Sequence, residues 1–259
     1  MNVLVTRPDY RGQQLVEMLR VHHIFAIHQP LFRIEAGDEL PNFPAQLSAL
    51  NAGDYLFPVS KSAVDFAHQT LIETGFRWRS DLRYLAVGES TANYLASKSE
   101  QAVRYPLHSA SSEGLLNLSE LQDLTNKSVL VLRADTGREL FAQQAQLRGA
   151  EIRTIECYRR LPLKENLGEK ISLAKRAGID TIVATSNEIL TSLRKNTLES
   201  DHPWLLGCNL IVVSKRIAQS AIQLGWQPNC IHISEKADNS SLLKTILGIL
   251  TLDKVGNYG

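Results

Sequence analysis

Val3-Leu4-Val5-Thr6-Arg7 and Val129-Leu130-Val131-Leu132-Arg133 decide the fold of this chain, because the same apolar strand pattern occurs twice, 126 residues apart. The offset recurs along the chain. At this spacing Asp54 corresponds to Asp180, Ser60 to Ser186, Ala92 to Ala218, and Phe32-Arg33 to Tyr158-Arg159. Several separated matches at one offset predict two structurally equivalent halves.

Each half alternates short apolar runs with longer stretches of helical period. The predicted strands are 3–6, 24–28, 55–59, 84–87 and 102–105 in the first half, and 129–132, 152–156, 181–184, 210–213 and 230–233 in the second. The predicted helices are 14–20, 63–73, 92–97, 140–148, 189–198 and 217–224. Short apolar strands separated by helices indicate parallel sheets that are covered on both faces. We therefore predict two doubly wound, flavodoxin-like α/β domains.

Two polar breaks, at residues 34–44 and 161–168, have the proline, glycine and acidic composition of linkers. They fall about one βαβ unit into each half, whereas a plain tandem would divide near residue 126. A swap satisfies both observations, if the opening βαβ segment of each half completes the sheet of the other. The predicted domains are then residues 1–36 with 166–259, and residues 37–165, with a cleft between them.

The composition is that of a globular protein without a global electrostatic field. Of 259 residues, 44% are hydrophobic and 21% are charged, which excludes a disordered chain. Twenty-eight basic and 27 acidic residues leave a formal charge of +1. Neither nucleic acid nor a membrane is therefore an expected partner, and any bound anion must be held locally. Since no signal peptide or span of ~20 apolar residues occurs, we expect a cytoplasmic protein, and a monomer.

Several kinds of site are disfavoured by residue spacing. Cys157, Cys208 and Cys230 are an odd number without C-x-x-C spacing, so we expect packing thiols and neither disulfides nor zinc. The seven histidines are scattered without ligand spacing, and no metal is expected. The sequence contains no G-x-G-x-x-G after a strand, no P-loop and no G-x-S-x-G motif. A Rossmann dehydrogenase or a P-loop enzyme is therefore disfavoured.

The helix starts that follow the strands repeat one polar pattern. Val59-Ser60-Lys61-Ser62 leads into a Ser62-x-x-Asp65 capping box, and Thr185-Ser186-Asn187-Glu188 contains Thr185-x-x-Glu188. Similar starts are Gly88-Glu89-Ser90-Thr91, Ser111-Ser112-Glu113-Gly114 and Val213-Ser214-Lys215-Arg216. Hydroxyls and free backbone N–H groups at a helix start can bind an anion. The same residue types are also ordinary N-caps, so both interpretations stay open.

Basic residues adjoin these loops. They are Arg7, Lys61, Arg133, Arg138, Lys215 and Arg216. Their positions after strands indicate a ligand with several carboxylates or phosphates, while a solvated surface is the alternative.

Tyr158 follows the predicted strand 152–156 at the proposed crossing between domains. Its phenol either faces the cleft or packs half-buried.

The chain resembles the uroporphyrinogen-III synthase family up to about residue 250. The segments that carry the resemblance are Val-Thr-Arg-Pro (5–8), Ala-Val-Gly-Glu-Ser-Thr-Ala (86–92), Ser-Glu-Gly-Leu-Leu (112–116), Val-Leu-Val-Leu-Arg-Ala-Asp-Thr-Gly-Arg-Glu-Leu (129–140) and Arg-Gly-Ala-Glu-Ile-Arg-Thr-Ile-Glu-Cys-Tyr-Arg-Arg (148–160). Their order and spacing make the resemblance specific. It implies a swapped two-domain arrangement joined by a two-stranded linker, in agreement with the positions of the polar breaks.

The resemblance also implies an activity. Such enzymes close the linear tetrapyrrole hydroxymethylbilane into uroporphyrinogen III, with loss of water and inversion of ring D through a spiro intermediate, without cofactor or metal. The substrate carries eight carboxylates. By resemblance Tyr158 is the candidate proton donor. The candidate substrate-binding residues are Arg7, Ser60, Lys61, Ser62, Thr91, Ser112, Arg138, Ser186, Asn187, Ser214 and Lys215.

Two segments depart from the family pattern, and other classes of function stay open. Residues 57–64 contain Pro58 and Lys61 where the family usually has a Phe-Thr-Ser-x-Asn-Ala-Val-like stretch. Residues 213–218 read Val-Ser-Lys-Arg-Ile-Ala where the family more usually has a stretch that contains glycine or proline. A non-catalytic two-lobed sensor of a small polyanion is one alternative. A nucleotide-sugar or NAD enzyme is another, disfavoured by the absent glycine motifs.

Overall fold

The computed structural model describes residues 1–136 and 139–256. Among these residues the strands are β1 (Val3–Val5), β2 (Ala26–His28), β3 (Phe32–Ala36), β4 (Tyr55–Pro58), β5 (Arg83–Leu85), β6 (Val103–Arg104), β7 (Ser128–Ala134), β8 (Glu151–Pro162), β9 (Thr181–Val183), β10 (Asn209–Val212) and β11 (Ile231–Ile233). The helices are α1 (Tyr10–Val21), α2 (Phe43–Ser48), α3 (Lys61–Thr74), α4 (Glu89–Ser99), α5 (Ser112–Leu116), α6 (Leu140–Leu147), α7 (Leu167–Arg176), α8 (Asn187–Asn196), α9 (His202–Gly207), α10 (Lys215–Gln223) and α11 (Asn239–Gly256). None of the helices in the described part of the chain is long and apolar enough to cross a membrane.

The predicted strands all occur, and β3 is an additional strand that was not predicted. The two polar breaks begin where the chain crosses between the units, but they are not wholly irregular. The break at 34–44 contains the end of β3 and the start of α2, and the break at 161–168 contains the end of β8 and the start of α7. Composition misjudges these segments because a few apolar side chains among the polar ones are enough to anchor them. Leu40 and Phe43, for example, are buried in a core.

The chain divides into two compact units, Met1–Arg33 with Leu161–Gly259, and Ile34–Arg160. In the described residues, the sheet of the first unit is parallel and has the order β11-β10-β9-β1-β2. The second sheet has the order β3-β8-β7-β4-β5-β6 and is parallel from β8 to β6. Counted from β1 and from β7, each contains the flavodoxin-like order 2-1-3-4-5. The predicted fold class is therefore confirmed.

The opening βαβ segments are swapped between the halves. Strand β1 pairs with β9, with Val3 opposite Thr181, and β7 pairs with β4, with Val129 opposite Tyr55. The chain passes between units within β3 and again within β8, and these two strands are neighbours in the second sheet. The predicted boundaries at residues 36 and 165 lie three and five residues beyond these crossings.

An aspartate fixes the start of the swapped strand in each unit. Asp54 precedes β4, and its carboxylate accepts hydrogen bonds from the backbone N–H of Ser128 at 3.0 Å and of Asn51 at 2.7 Å. Asp180 precedes β9 and accepts one from the backbone N–H of Asn2 at 3.0 Å. The two long-range bonds are 126 residues apart in both partners. They differ in burial, because Asp54 is 1% exposed whereas the Asp180 side chain is 51% exposed.

Each sheet buries a core on both faces. In the first unit, side chains of α7, α8 and α10 pack on one face and those of α1 and α11 pack on the other. In the second unit, α2, α3 and α4 cover one face, while α5 and α6 cover the other. The apolar runs of the central strands alternate between these cores, as a doubly covered parallel sheet requires.

We predict that Asp54→Ala lowers the free energy of unfolding by about 2–4 kcal/mol, since two backbone N–H groups lose a charged acceptor and one of the bonds is buried. Asp180→Ala removes the equivalent long-range bond at an exposed position, and we expect a loss below about 1 kcal/mol. Urea unfolding of both variants measures the difference. If the two variants lost equal free energy of unfolding, burial of the aspartate would not explain the strength of these hydrogen bonds.

We also predict that only one cysteine of the folded chain reacts with iodoacetamide at pH 8. Burial raises the pKa of the Cys208 thiol to about 12 and also raises that of Cys157, so both remain unreactive thiols. Cys230 is partly exposed. Mass spectrometry should find one label, on Cys230, in the native protein and three in urea. Labelling of Cys157 in the native protein would contradict its burial.

Candidate functional site

Ligands of open parallel sheets bind beyond the carboxyl ends of the strands, where the strand order reverses. In the first unit this point lies between β1 and β9. In the second unit it lies between β7 and β4. The loops at these points contain Arg7 and Ser186 in the first unit, and Asp135 and Ser60 in the second. The pseudo-repeat therefore produces two related candidate sites, one in each unit.

Serine caps the helix that follows the strand in several of the predicted loops. Ser60, Ser111, Ser186 and Ser214 accept hydrogen bonds from the backbone N–H groups of Ala63, Gly114, Ile189 and Ile217, at 3.0–3.3 Å. The predicted capping boxes at Ser62 and Thr185 are wrong, because the N-caps are Ser60 and Ser186. A helix begins where the extended strand conformation ends, and Ser60 is the last residue with extended φ and ψ angles, −160° and 166°.

Tyr158 is the central side chain of the second unit's site. It is 3% exposed, and its hydroxyl lies 2.9 Å from Ser60 Oγ. Its ring stacks on Phe66, with the centroids 6.1 Å apart and the planes at 11°. Ser60 is the N-cap of α3, and Phe66 lies in the second turn of the same helix. The phenol is therefore held at a helix N-terminus, beyond the carboxyl end of β4.

A β-bulge determines the direction of Tyr158. Arg133 of β7 lies opposite Glu156 of β8, but the next residue, Ala134, lies opposite Tyr158, so Cys157 is the extra residue. Strict alternation would place Cys157 and Tyr158 on opposite faces of the sheet. Both instead pack in the core that α3 covers. The bulge thus brings the Tyr158 hydroxyl to Ser60.

Lys61 lies beside Tyr94 in the second unit. Its Nζ is 5.5 Å from the centroid of the Tyr94 ring, and the Tyr94 hydroxyl donates a hydrogen bond to Asp65. Lys98 approaches the same ring at 5.7 Å. The Lys61 ammonium is therefore positioned by a side chain of α4, next to the helix start capped by Ser60.

Arg7 is tied into the first unit. The residue is 7% exposed, and its Nη1 donates to Ala237 O and to Asn239 Oδ1, both at 2.9 Å. Burial lowers the pKa of its guanidinium, and the carboxylate of Asp9 opposes this effect. These contacts join the end of β1 to the start of α11. Arg7 consequently has a structural function, and its predicted contact with substrate stays a prediction.

Most of the remaining predicted residues lie at helix starts, each within its own unit. Ser62 and Thr91 are half-buried in the first turns of α3 and α4, and Ser112 is half-buried at the start of α5, one residue after its cap. Lys215 is exposed at the start of α10. Arg138 lies outside the described residues. The nearby Arg133 forms an ion pair with Glu139 at 3.3 Å.

The first unit has a groove beside α8. It has a volume of about 670 Å³, and its lining includes Phe32, Leu163, Asn187 and Thr191. Phe32 corresponds to Tyr158 in the repeat, and Asn187 corresponds to Lys61. The Asn187 Oδ1 is buried and has no hydrogen-bond partner among the described residues. The counterpart of the tyrosine site therefore lacks the phenol hydroxyl.

Sequence reasoning missed Arg160 and Asp135. Arg160 Nη2 lies 3.5 Å from the Tyr158 hydroxyl, and Arg160 Nη1 lies 3.9 Å from Asp135 Oδ1. The spacing of two residues between Tyr158 and Arg160 on a strand was the available signal, because such residues share a face. Within residues 1–136 and 139–256, no group of three or more His, Cys, Asp or Glu side chains is placed to hold a metal ion.

The sequence of this chain is similar to a known protein family and to characterised relatives. A family model described as Uroporphyrinogen-III synthase HemD matches residues 13–244. The chain is 40% identical over 248 residues to the uroporphyrinogen-III synthase of Salmonella typhimurium, and 38% identical over 248 residues to that of Escherichia coli K12. Both alignments cover 95% of this chain and 100% of the relative.

Solved structures share the fold. A mutant uroporphyrinogen III synthase from the extremely thermophilic bacterium Thermus thermophilus aligns with a TM-score of 0.66 at 16% identity, covering 97% of this chain and 100% of that one. The uroporphyrinogen-III synthetase of Helicobacter pylori 26695 aligns with a TM-score of 0.54 at 14% identity, covering 96% of this chain and 99% of that one.

We predict that Ser60 and Tyr158 are coupled energetically. In a double-mutant cycle, Ser60→Ala and Tyr158→Phe should show a coupling of about 0.5–1.5 kcal/mol in urea unfolding, because the two hydroxyls share a hydrogen bond. Ser186→Ala is the matched control, since it removes the same kind of cap at the repeat position of Ser60. Its effect should add to that of Tyr158→Phe within about 0.5 kcal/mol. Additivity in the Ser60 cycle would contradict the bond.

Proposed function

This chain belongs to the uroporphyrinogen-III synthase family, a family of cyclising lyases, and we propose that it closes hydroxymethylbilane into uroporphyrinogen III with Tyr158 as the proton donor. The family match over residues 13–244 and the relatives near 40% identity support the reaction. The observation that carries the donor assignment is the Tyr158 hydroxyl, buried and 2.9 Å from Ser60 Oγ beyond the end of β4.

The reaction needs an acid at its first step. The C–O bond of the hydroxymethyl group on ring A breaks, its electron pair stays on oxygen, and a proton from Tyr158 completes the leaving water. The remaining carbon is part of an electrophilic, positively charged azafulvene. General acid assistance of this kind contributes about 10²-fold or more.

The second task is to direct the ring closure. Ring D attacks through its substituted carbon, and the resulting spiro-pyrrolenine fragments and recloses with ring D inverted. The ring system finally releases one proton, which restores the phenol, so the net change is the loss of one water. Unassisted closure at the free carbon gives the type I isomer. The protein would therefore direct closure to the type III isomer by holding the bilane so that the substituted carbon of ring D lies next to the electrophile.

The serine-capped helix starts are suited to the carboxylates of the bilane. Backbone N–H groups in the first turn of a helix face outward, and the helix dipole favours negative charge there. The starts capped by Ser60, Ser186 and Ser214 provide such groups. Since each serine hydroxyl already accepts a hydrogen bond from its own helix, the main chain would provide most of the binding. Lys61 adds a cation at one start.

Family membership does not support the alternative of a non-catalytic two-lobed sensor. The relatives that match along nearly the whole chain carry the name of an enzyme. Binding of the bilane without turnover would be the outcome that revives this alternative.

We predict that Tyr158→Phe lowers the rate of type III formation by about 10²-fold, because the proton donor is lost while the ring packing is kept. Ser214→Ala should change this rate by less than about threefold, since the backbone N–H groups of α10 remain. The assay supplies freshly made hydroxymethylbilane, oxidises the products and separates type I from type III porphyrin.

The two outcomes to watch are distinct. A fully active Tyr158→Phe would end the donor assignment. A wild-type protein that yields only type I porphyrin would end the proposed function.

A further inference from the structure

Arg160 lies beside the Tyr158 hydroxyl on the same face of β8. Its Nη2 is 3.5 Å from the hydroxyl oxygen, and its Cζ is 5.4 Å from the centroid of the tyrosine ring. The guanidinium thus approaches both the polar end and the ring of the phenol. The bulge at Cys157 places Tyr158 on this face, and Arg160, two residues later, follows it.

The loop after β7 holds the Arg160 guanidinium in place. Its Nη1 donates to Thr136 Oγ1 at 3.2 Å and lies 3.9 Å from Asp135 Oδ1. The backbone N–H of Asp135 donates to Tyr158 O at 2.9 Å, so this loop is also tied to the backbone of β8. Asp135 Oδ1 is buried without a hydrogen-bond partner among the described residues. A buried carboxylate oxygen at this distance favours a cation at the position of Arg160.

A phenol that gives up a proton becomes an anion in a largely buried position. A neighbouring cation stabilises the phenolate relative to the phenol, and an arginine keeps its charge throughout. Ser60 faces the same oxygen from α3 and can donate its own hydrogen bond to the phenolate. Arg160 on β8 is a charged group next to this oxygen, and Asp135 after β7 is a charged group next to Arg160.

We propose that Arg160 is a positioning residue that holds the Tyr158 hydroxyl and stabilises the phenolate formed when its proton leaves with the departing water. This inference rests on the proposed function. The tyrosine O–H bond breaks as the proton moves to the leaving oxygen, and the bond forms again with the proton that the closed macrocycle releases. Arg160 itself keeps all its protons, and it affects the reaction only through its contact with Tyr158.

The test compares Arg160→Gln and Arg160→Lys with the neighbouring control Arg159→Gln. Arg159 pairs instead with Asp38 at 2.8 Å. Arg160→Gln should lower the rate of type III formation by about 10- to 100-fold. Arg160→Lys should recover part of this loss because it keeps the charge. Arg159→Gln should stay near the wild-type rate.

The pH profile separates electrostatic stabilisation from a purely structural role. The donor works only while protonated, so activity falls at alkaline pH as the phenol ionises. Because the cation favours the phenolate, its removal in Arg160→Gln should move the alkaline limb of the pH–rate profile to higher pH. Arg160→Lys should move it less. Equal losses in both variants with an unchanged limb would overturn the proposal.

A second variant keeps the test valid if Arg160→Gln fails to fold, which circular dichroism reveals. Thr136→Val removes the hydroxyl that accepts from Arg160, at an exposed position, and should give a smaller shift of the limb in the same direction. An unmoved limb in Thr136→Val with normal activity would then count against the proposal. If the wild-type chain forms type III porphyrin while the Arg160 variants match it, this inference fails and the proposed function stands.

Discussion

The pairing of β1 with β9 and of β7 with β4 joins strands that lie far apart in the chain, and both sheets depend on it. The central strands are fully buried, so these pairs form the middle of each core. The same aspartate contact fixes both pairs at their starts, through Asp54 on Ser128 and Asp180 on Asn2. The entropy lost on closing a loop grows only slowly with loop length, so burial of a large apolar area can offset the cost of pairing distant strands. Each sheet consequently requires strands from both halves of the sequence.

The two halves share a scaffold and differ in their chemistry. Ser60 and Ser186 cap equivalent helices in the same way. Beside the first cap lies Tyr158, and the repeat has Phe32 in its place, in the wall of a groove with apolar side chains. Burial of a phenol hydroxyl requires hydrogen-bond partners, which Ser60 and Arg160 supply in the second unit. A duplicated framework thus carries a tyrosine hydroxyl at one helix start and a phenylalanine at the equivalent position of the other half.

Residue pattern predicts the helix starts of the candidate site but not the long-range contacts of its side chains. Serines after strands were predicted as helix starts, and the structure places Ser60, Ser186 and Ser214 there as N-caps. The capping boxes were misplaced by one or two residues, since the end of a strand decides where its helix begins. Arg7 was predicted to meet the ligand from its position after β1. That contact stays a prediction, and the structure adds that its guanidinium binds Ala237 and Asn239, more than 200 residues away, partners that no local pattern indicates.

The sequence by itself indicated the repeat, the covered parallel sheets and every strand except β3, because these follow from apolar periodicity. The position of the polar breaks made a swap one arrangement that fits the spacing, and the pairing of β1 with β9 and of β7 with β4 shows it. Only the tertiary structure decided the direction of Tyr158. Regular alternation along β8 turns its side chain away from Cys157, whereas the bulge turns both into the core under α3. A bulge exists only in the register between two strands, and β7 and β8 acquire that register when they pair. For this reason the cluster of Tyr158, Ser60 and Arg160 is a property of the folded sheet.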